Sequence, residues 1–424
     1  MNLSSALQLS NQQVQIQALG RFLIQISYGL LNFYIPILFV NQVGLSATAV
    51  GFALSLCAIT EVGGHFLGAT LADSPRFGRK VVLILAAASG VAVALMLMVA
   101  QSLWLLILAS MVLGISLGCY WTASGAAVMD ATTTEDRSSA FAVMGVAEYI
   151  GIGLGVLGGS ALIAAVDESP ILLFRGCGAM FVLFGLLIQI LMTNEYPSRA
   201  NHDRQSQGWI TALSDKALVV FMLANVFFTT YVALVSSTIP LYITNFITGA
   251  DPVPGVSVGS TANLFTWCYV GVGAVLQIPI TSLLTPLRRI FVLMGGMVLW
   301  AAGFILLWAA GTFAEGQFLW AIVALCLLSL ASVAYKPFFV ATVSDLAPSH
   351  LRATYVAVSS QCWTIGYFIG PLLGGWAMDQ TSLIAQRFWL AVAMSVSVCL
   401  GLLWAFDLLH RASAMQPSGG EGSA

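Results

Sequence analysis

Twelve apolar runs, each long enough to cross a bilayer's ~30 Å hydrocarbon core at ~1.5 Å per helical residue, constrain this chain more than any other feature. Six lie near residues 16–40, 48–71, 81–100, 103–129, 139–165 and 171–193. After a polar segment at 194–216, six more follow near 217–247, 259–283, 290–311, 317–344, 353–377 and 387–407. With no water to bond to, a spanning segment must satisfy its backbone N–H and C=O groups internally, so runs of this length predict helices. The charge content agrees: 8% of 424 residues are charged, against roughly 25% in a soluble domain.

The runs are duplicated. Shifted by 215 positions, Asp130–Gly159 returns without a gap as Asp345–Gly374, with nine identities that include Asp130/Asp345, Arg137/Arg352, Gly151/Gly366, Gly155/Gly370 and Gly159/Gly374. A second echo aligns Pro36 with Pro240 and Asn41 with Asn245 at a shift of 204. Each proline removes a backbone donor and should loosen its helix in the outer half. The fold class expected is an all-α membrane protein of twelve transmembrane helices in two pseudo-symmetric six-helix bundles. Residues 1–193 and 217–410 would form the bundles, 194–216 a cytoplasmic linker and 411–424 a flexible cytoplasmic tail. Six helices separate the repeats, so both run in the same direction, related by an axis along the membrane normal.

Basic residues orient the chain. With both termini in the cytoplasm, the inner connections and tail hold eleven of the fifteen Lys and Arg residues, while the outer ones carry Asp167, Glu168, Asp251, Glu315 and Asp379. That asymmetry is the positive-inside pattern. No basic n-region precedes the first run, so that run itself is expected to act as the insertion signal. Acidic and basic residues nearly cancel, leaving a formal charge of −2, which gives no reason to expect a nucleic-acid partner. The seven cysteines all fall in apolar runs without metal-ligand spacing. No cofactor or metal site and no ATP-binding loop of the G-x-x-x-x-G-K-[ST] type is expected.

Residues 69–83, ATLADSPRFGRKVVL, resemble the loop 2–3 signature of the major facilitator superfamily, with Leu71, Ala72, Asp73, Arg76, Gly78, Arg79, Lys80 and Leu83 filling its pattern. Ala69 replaces the leading glycine and Ser74-Pro75 is inserted; in the second half only Arg288-Arg289 remains of the equivalent loop. The run Gly366–Gly375 in helix 11 is similar to the G-x-x-x-G-P-x-x-G-G pattern that antiporters of this superfamily carry in helix 5. Here helix 5 has Val156 in place of the proline, and helix 4 lacks the basic residue expected of such exporters. The resemblance implies a secondary transporter working by alternating access, of the drug/proton antiporter-like group. It places Asp73, Arg76, Arg79, Asp130, Arg137, Asp345 and Arg352 at a cytoplasmic gate. It also implies that the carboxylate of the loop faces the N-terminal end of helix 11.

Charge near the bilayer centre costs a few kcal/mol on insertion scales and therefore marks function. Glu61 stands about 18 Å above Asp73, Glu148 about 16 Å above Arg137, and Lys336 about 14 Å above Asp345. His65 shares a helix face with Glu61. These four residues are the candidates for proton coupling or a central charge. Arg21, a fifth, sits in the inner half of helix 1 and is expected to snorkel to the cytoplasmic headgroups. Tyr28, Asn32, Tyr120, Trp121, Asn225, Tyr231 and Tyr335 are the candidate cavity residues, aromatics with polar tips that suit a partly apolar organic solute.

The reading is a proton-coupled exporter of an amphipathic compound, its partners a small-molecule substrate, protons and the lipid bilayer. The alternative is proton-driven uptake or facilitated transport of a polar or anionic nutrient, with Lys336 as counter-ion; a membrane enzyme or transporter-like sensor is the remote one. A monomer in the bacterial inner membrane is expected.

Overall fold

The structure is a computed structural model of the chain, and it describes residues 12–74, 76–133, 137–165, 170–193, 205–247, 258–313, 315–348 and 351–415. Among the described residues, twelve helices are long and apolar enough to cross a membrane. They are α1 (Gln12–Asn41), α2 (Ala47–Ala72), α3 (Gly78–Val99), α4 (Leu103–Asp130), α5 (Arg137–Ala165) and α6 (Pro170–Leu191). After a short connecting helix, Gln205–Ser214, come α7 (Lys216–Ile247) and α8 (Val258–Leu284). The last four are α9 (Arg289–Thr312), α10 (Gln317–Leu346), α11 (Arg352–Met378) and α12 (Ser382–Met415). The chain is therefore an all-α, multi-pass integral membrane protein.

Proline leaves different marks in the two related helices. In α7 the α-helical ladder gives way to a π-helical turn, Ile243–Ile247, shortly after Pro240. In α1 the helix continues past Pro36 to Asn41. A missing N–H loosens the ladder in both, but only α7 takes up the wider turn.

The chain divides into two compact units. The first comprises Met1–Ala200, Ala233–Ala274 and Tyr367–Ala385; the second comprises Asn201–Val232, Val275–Gly366 and Gln386–Ala424. Within the first unit, α2 packs along α4, α1 along α5, and α3 against both α4 and α6. Glycines set the closeness of these pairs. A methyl group on Gly64 of α2 would lie 2.5 Å from the Ile115 carbonyl oxygen, and one on Gly68 would lie 2.8 Å from the Cα of Cys119. On the facing side of α4, Gly114 and Gly118 abut the backbone of Cys57 and Glu61. Apolar helices in lipid gain little from the hydrophobic effect, so close backbone approach and dispersion hold them together.

In the second unit α9 runs along α10, around an aromatic core. Phe228 stacks on Tyr335 with ring centroids 4.2 Å apart, and Tyr231, Trp300, Phe304 and Trp389 continue the cluster.

The duplicated glycines do the same work in both halves of the sequence. Gly151, Gly155 and Gly159 seat α5 on Phe22, Ile26 and Tyr34 of α1, while Gly366 and Gly374 seat α11 on Thr229 and Thr238 of α7. This gives a direct test. A methyl group at Gly155 would overlap the Ile26 carbonyl, whereas nothing lies within 4 Å of one at Gly158. Gly155→Ala should lower stability by about 1–3 kcal/mol and Gly158→Ala should be neutral, read from thermal unfolding of the purified protein. Equal effects at the two positions would remove the packing role.

Candidate functional site

A polar stripe runs along α1. Gln17, Arg21, Gln25, Tyr28 and Asn32 recur at spacings of three and four, so they share one face of the helix. Gln17 accepts a hydrogen bond from the Ser124 hydroxyl at 3.2 Å. Arg21 donates through Nε to the Tyr120 hydroxyl at 2.8 Å, and through a terminal nitrogen to Glu148 at 3.3 Å. Its guanidinium also stands 4.3 Å from the centre of the Trp121 ring. Arg21 is 6% exposed, so it does not snorkel to the headgroups as its position suggested. An opposite charge and two ring faces inside the bundle hold the cation more strongly than its flexible stem can carry it outward. Gln25 is buried beside them, and its Oε1 has no partner among the described residues.

Further along the same stripe a pocket opens within the first unit. It is lined by Tyr28, Leu31, Asn32 and Ile35 of α1, Leu54, Cys57, Ala58 and Glu61 of α2, Leu113 of α4, Ser236 and Ser237 of α7, and Tyr367 and Pro371 of α11. Glu61 is the one acidic residue of this lining, and no lysine or arginine belongs to it. One helical turn away, Nε2 of His65 lies 3.7 Å from the Glu61 carboxylate.

The contacts around His65 set the direction each ring nitrogen faces. The Thr122 hydroxyl donates to the Gly118 carbonyl at 2.9 Å and sits 2.9 Å from Nδ1 of His65. Thr122 thus occupies Nδ1, and Nε2 is the nitrogen that faces Glu61. The pair can thus hold one proton between them, release it, or accept a second.

In the second unit the Lys336 ammonium stands 5.7 Å from the centre of the Trp363 ring. Asn225 is buried, Tyr231 and Tyr335 belong to the aromatic core, and the Tyr231 hydroxyl shares a hydrogen bond with Ser395 at 2.7 Å. The repeat makes sense of these neighbours. Trp121 and Glu148 correspond to Lys336 and Trp363 at the shift of 215, and each half sets a cation on a tryptophan: Arg21 over Trp121, Lys336 over Trp363.

At the cytoplasm-facing ends expected from the charge pattern, each unit carries the same clamp. Arg79 donates to the Ala126 carbonyl at 3.1 Å and pairs with Asp130. Arg289 donates to the Ala341 carbonyl at 3.1 Å and pairs with Asp345. Ala126 and Ala341 are again 215 residues apart. Arg289 and Asp345 are largely exposed, so this second pair contributes no more than ~1 kcal/mol. Gly78, in the loop signature, has φ of +69°, a region that favours glycine because a Cβ is strained there. Asp73 caps the end of α2 through its backbone N–H, and Arg76 is exposed. The side chains of Arg137 and Arg352 lie outside the described residues.

Sequence reasoning missed Gln17, Gln25 and Tyr367, and it noted Arg289 only as a remnant of the second-half loop, not as the partner of Asp345. The first two were legible as i, i+4 neighbours of Arg21. Tyr367 stands inside the glycine pattern of helix 11, where only the glycines drew notice.

Comparison with known proteins points one way. The family model described as Major Facilitator Superfamily matches residues 18–266 and 253–422. The chain is 23% identical to a Na(+), Li(+), K(+)/H(+) antiporter of Planococcus maritimus, over 95% of this chain and 97% of that protein. It is 25% identical to the multidrug resistance protein MdtH of Klebsiella pneumoniae, over 95% and 98% of the two chains. Among solved structures it is similar to the nucleoside transporter NupG, with a TM-score of 0.77 at 14% identity, covering 93% of this chain and 99% of that one. A bacterial homologue of the human drug peptide transporters PepT1 and PepT2 is also similar, with a TM-score of 0.74 at 15% identity, covering 95% and 99%.

Proposed function

Because the chain belongs to the Major Facilitator Superfamily and is a membrane transporter, we propose that it exports an amphipathic organic cation in exchange for protons, with the pocket at Glu61 as the shared site. The observation that carries this reading is the lining itself. A single carboxylate, the rings of Tyr28 and Tyr367 and a wall of aliphatic side chains, with no basic residue among them, form a surface that a cation on an apolar body satisfies. A proton on the Glu61–His65 pair neutralises the charge that would hold the cation. Proton and solute therefore compete, and each trip of the site carries one or the other. The Na(+), Li(+), K(+)/H(+) antiporter named above, a proton-exchanging relative, supports the choice of coupling ion.

We place both termini in the cytoplasm, on the charge pattern, and the protein in the bacterial inner membrane as a monomer. Arg21 and Glu148 serve as a fixed internal pair beside the site.

A second reading, uptake of a polar or anionic solute, rests on Lys336 beside Trp363 and on the nucleoside and peptide transporters of like fold. Reconstituted vesicles with an imposed proton gradient separate the two. Acid on the outer face should drive a lipophilic cation outward against its own gradient and leave anions and neutral polar solutes unmoved. Inward movement of an anionic or neutral solute under the same gradient would establish the second reading instead.

A further inference from the structure

We propose that Asp379 is the latch of the outer gate, a positioning residue that holds the pocket closed from outside by capping α2. This rests on the cytoplasmic placement of the termini proposed above, which makes the start of α2 and the end of α11 the outer ends.

The first amides of a helix have no partner inside it. In α2 the Ser46 hydroxyl accepts from the amide of Ala49 at 3.2 Å. The amides of Ala47 and Thr48 are taken by the two carboxylate oxygens of Asp379, each at 2.7 Å, and the Thr48 hydroxyl donates to the same carboxylate. A carboxylate is at its most favourable at the N-terminal end of a helix.

Asp379 stands where its own helix disfavours it. It directly follows Met378, the last residue of α11, at the negative end of that helix dipole. Asp379 is exposed to solvent, and the start of α2 adds two amides, a hydroxyl and a positive helix end to what water offers its charge. The contact therefore favours the closed arrangement specifically, which is what shifts a conformational equilibrium.

The seam below the latch is built for the same close approach. Gly51 of α2 abuts the Pro371 carbonyl and Gly375 of α11 abuts the Ala47 carbonyl, while the Ser55 hydroxyl donates to the Phe368 carbonyl at 2.6 Å. Nearby, Asn41 and Asn245 exchange amide hydrogen bonds, both at 2.9 Å. Pro371 and Tyr367 line the pocket immediately beneath. Parting this seam would open the pocket outward.

Cys57, itself a pocket residue, is a native reporter. In the full-length protein, labelling of Cys57 by a membrane-impermeant maleimide, read by mass spectrometry of its peptide, should rise about tenfold from the outer face in Asp379→Ala, the shift that ~1.4 kcal/mol produces. Thr48→Val, which removes one donor and leaves the carboxylate, should raise it less. A rise confined to inside-out vesicles would support the latch and overturn the orientation. Unchanged labelling from both faces overturns the latch, as does an equal rise from both, which marks general loosening of the fold.

Discussion

Glu61→Gln should abolish concentrative transport while sparing exchange of solute for solute. A pH difference of one unit supplies ~1.4 kcal/mol per proton, so one-for-one exchange in the wild-type protein sustains a solute gradient of about tenfold. Glutamine keeps the size and polarity of the side chain and removes the exchangeable proton, and the solute ratio should fall to about one. His65→Asn should leave a reduced gradient, because Glu61 keeps its carboxyl but loses the partner 3.7 Å away. The measurement is accumulation in vesicles at fixed pH difference, with counterflow as the control for a working carrier. Should Glu61→Gln still concentrate solute while Glu148→Gln does not, coupling belongs to Glu148 and the Arg21 pair is the exchanging one.

The second large effect concerns that pair. Arg21 and Glu148 have side chains 7% and 21% exposed, with Tyr120 and Trp121 packed against the guanidinium. Removing one member leaves the other charged in a low-dielectric interior, which costs about 3–5 kcal/mol, whereas replacing both with apolar side chains of similar size is often neutral. Arg21→Met and Glu148→Leu should each lower the unfolding midpoint steeply, and the double variant should recover most of the loss. The cycle, measured by thermal or denaturant unfolding of the purified protein, isolates the pair from the rest of α1. Two small and additive single effects would show that the pair does not hold the first unit together.

The two predictions divide labour between carboxylates that the sequence could not tell apart. Counted along the helices, Glu61 and Glu148 stand at similar depth, and both look like coupling residues. Their surroundings differ because of residues distant in sequence: Arg21 arrives at Glu148 from 127 positions away, while Tyr28 and Tyr367 reach the Glu61 pocket from α1 and α11. No spacing rule relates these positions.

Length and periodicity by themselves determined the twelve helices, since a segment in hydrocarbon has few ways to satisfy its backbone. Self-similarity determined that Asp130 and Asp345, and the glycines behind them, play equivalent parts. The clamps at Arg79 and Arg289 and the seating of α5 on α1 and of α11 on α7 follow that symmetry. What only the tertiary structure decided is the partner of each charge. Arg21 reads as a snorkelling residue at its own position and becomes an internal counter-ion once α4 and α5 surround it. Asp379 reads as one more acidic residue in an outer loop and becomes the cap of a helix 332 positions away. The reason is the same in both cases: a charge buried or set at a helix end takes its energy from whichever dipole, ring or ion packing brings within a few ångströms, and packing joins residues that sequence order keeps apart.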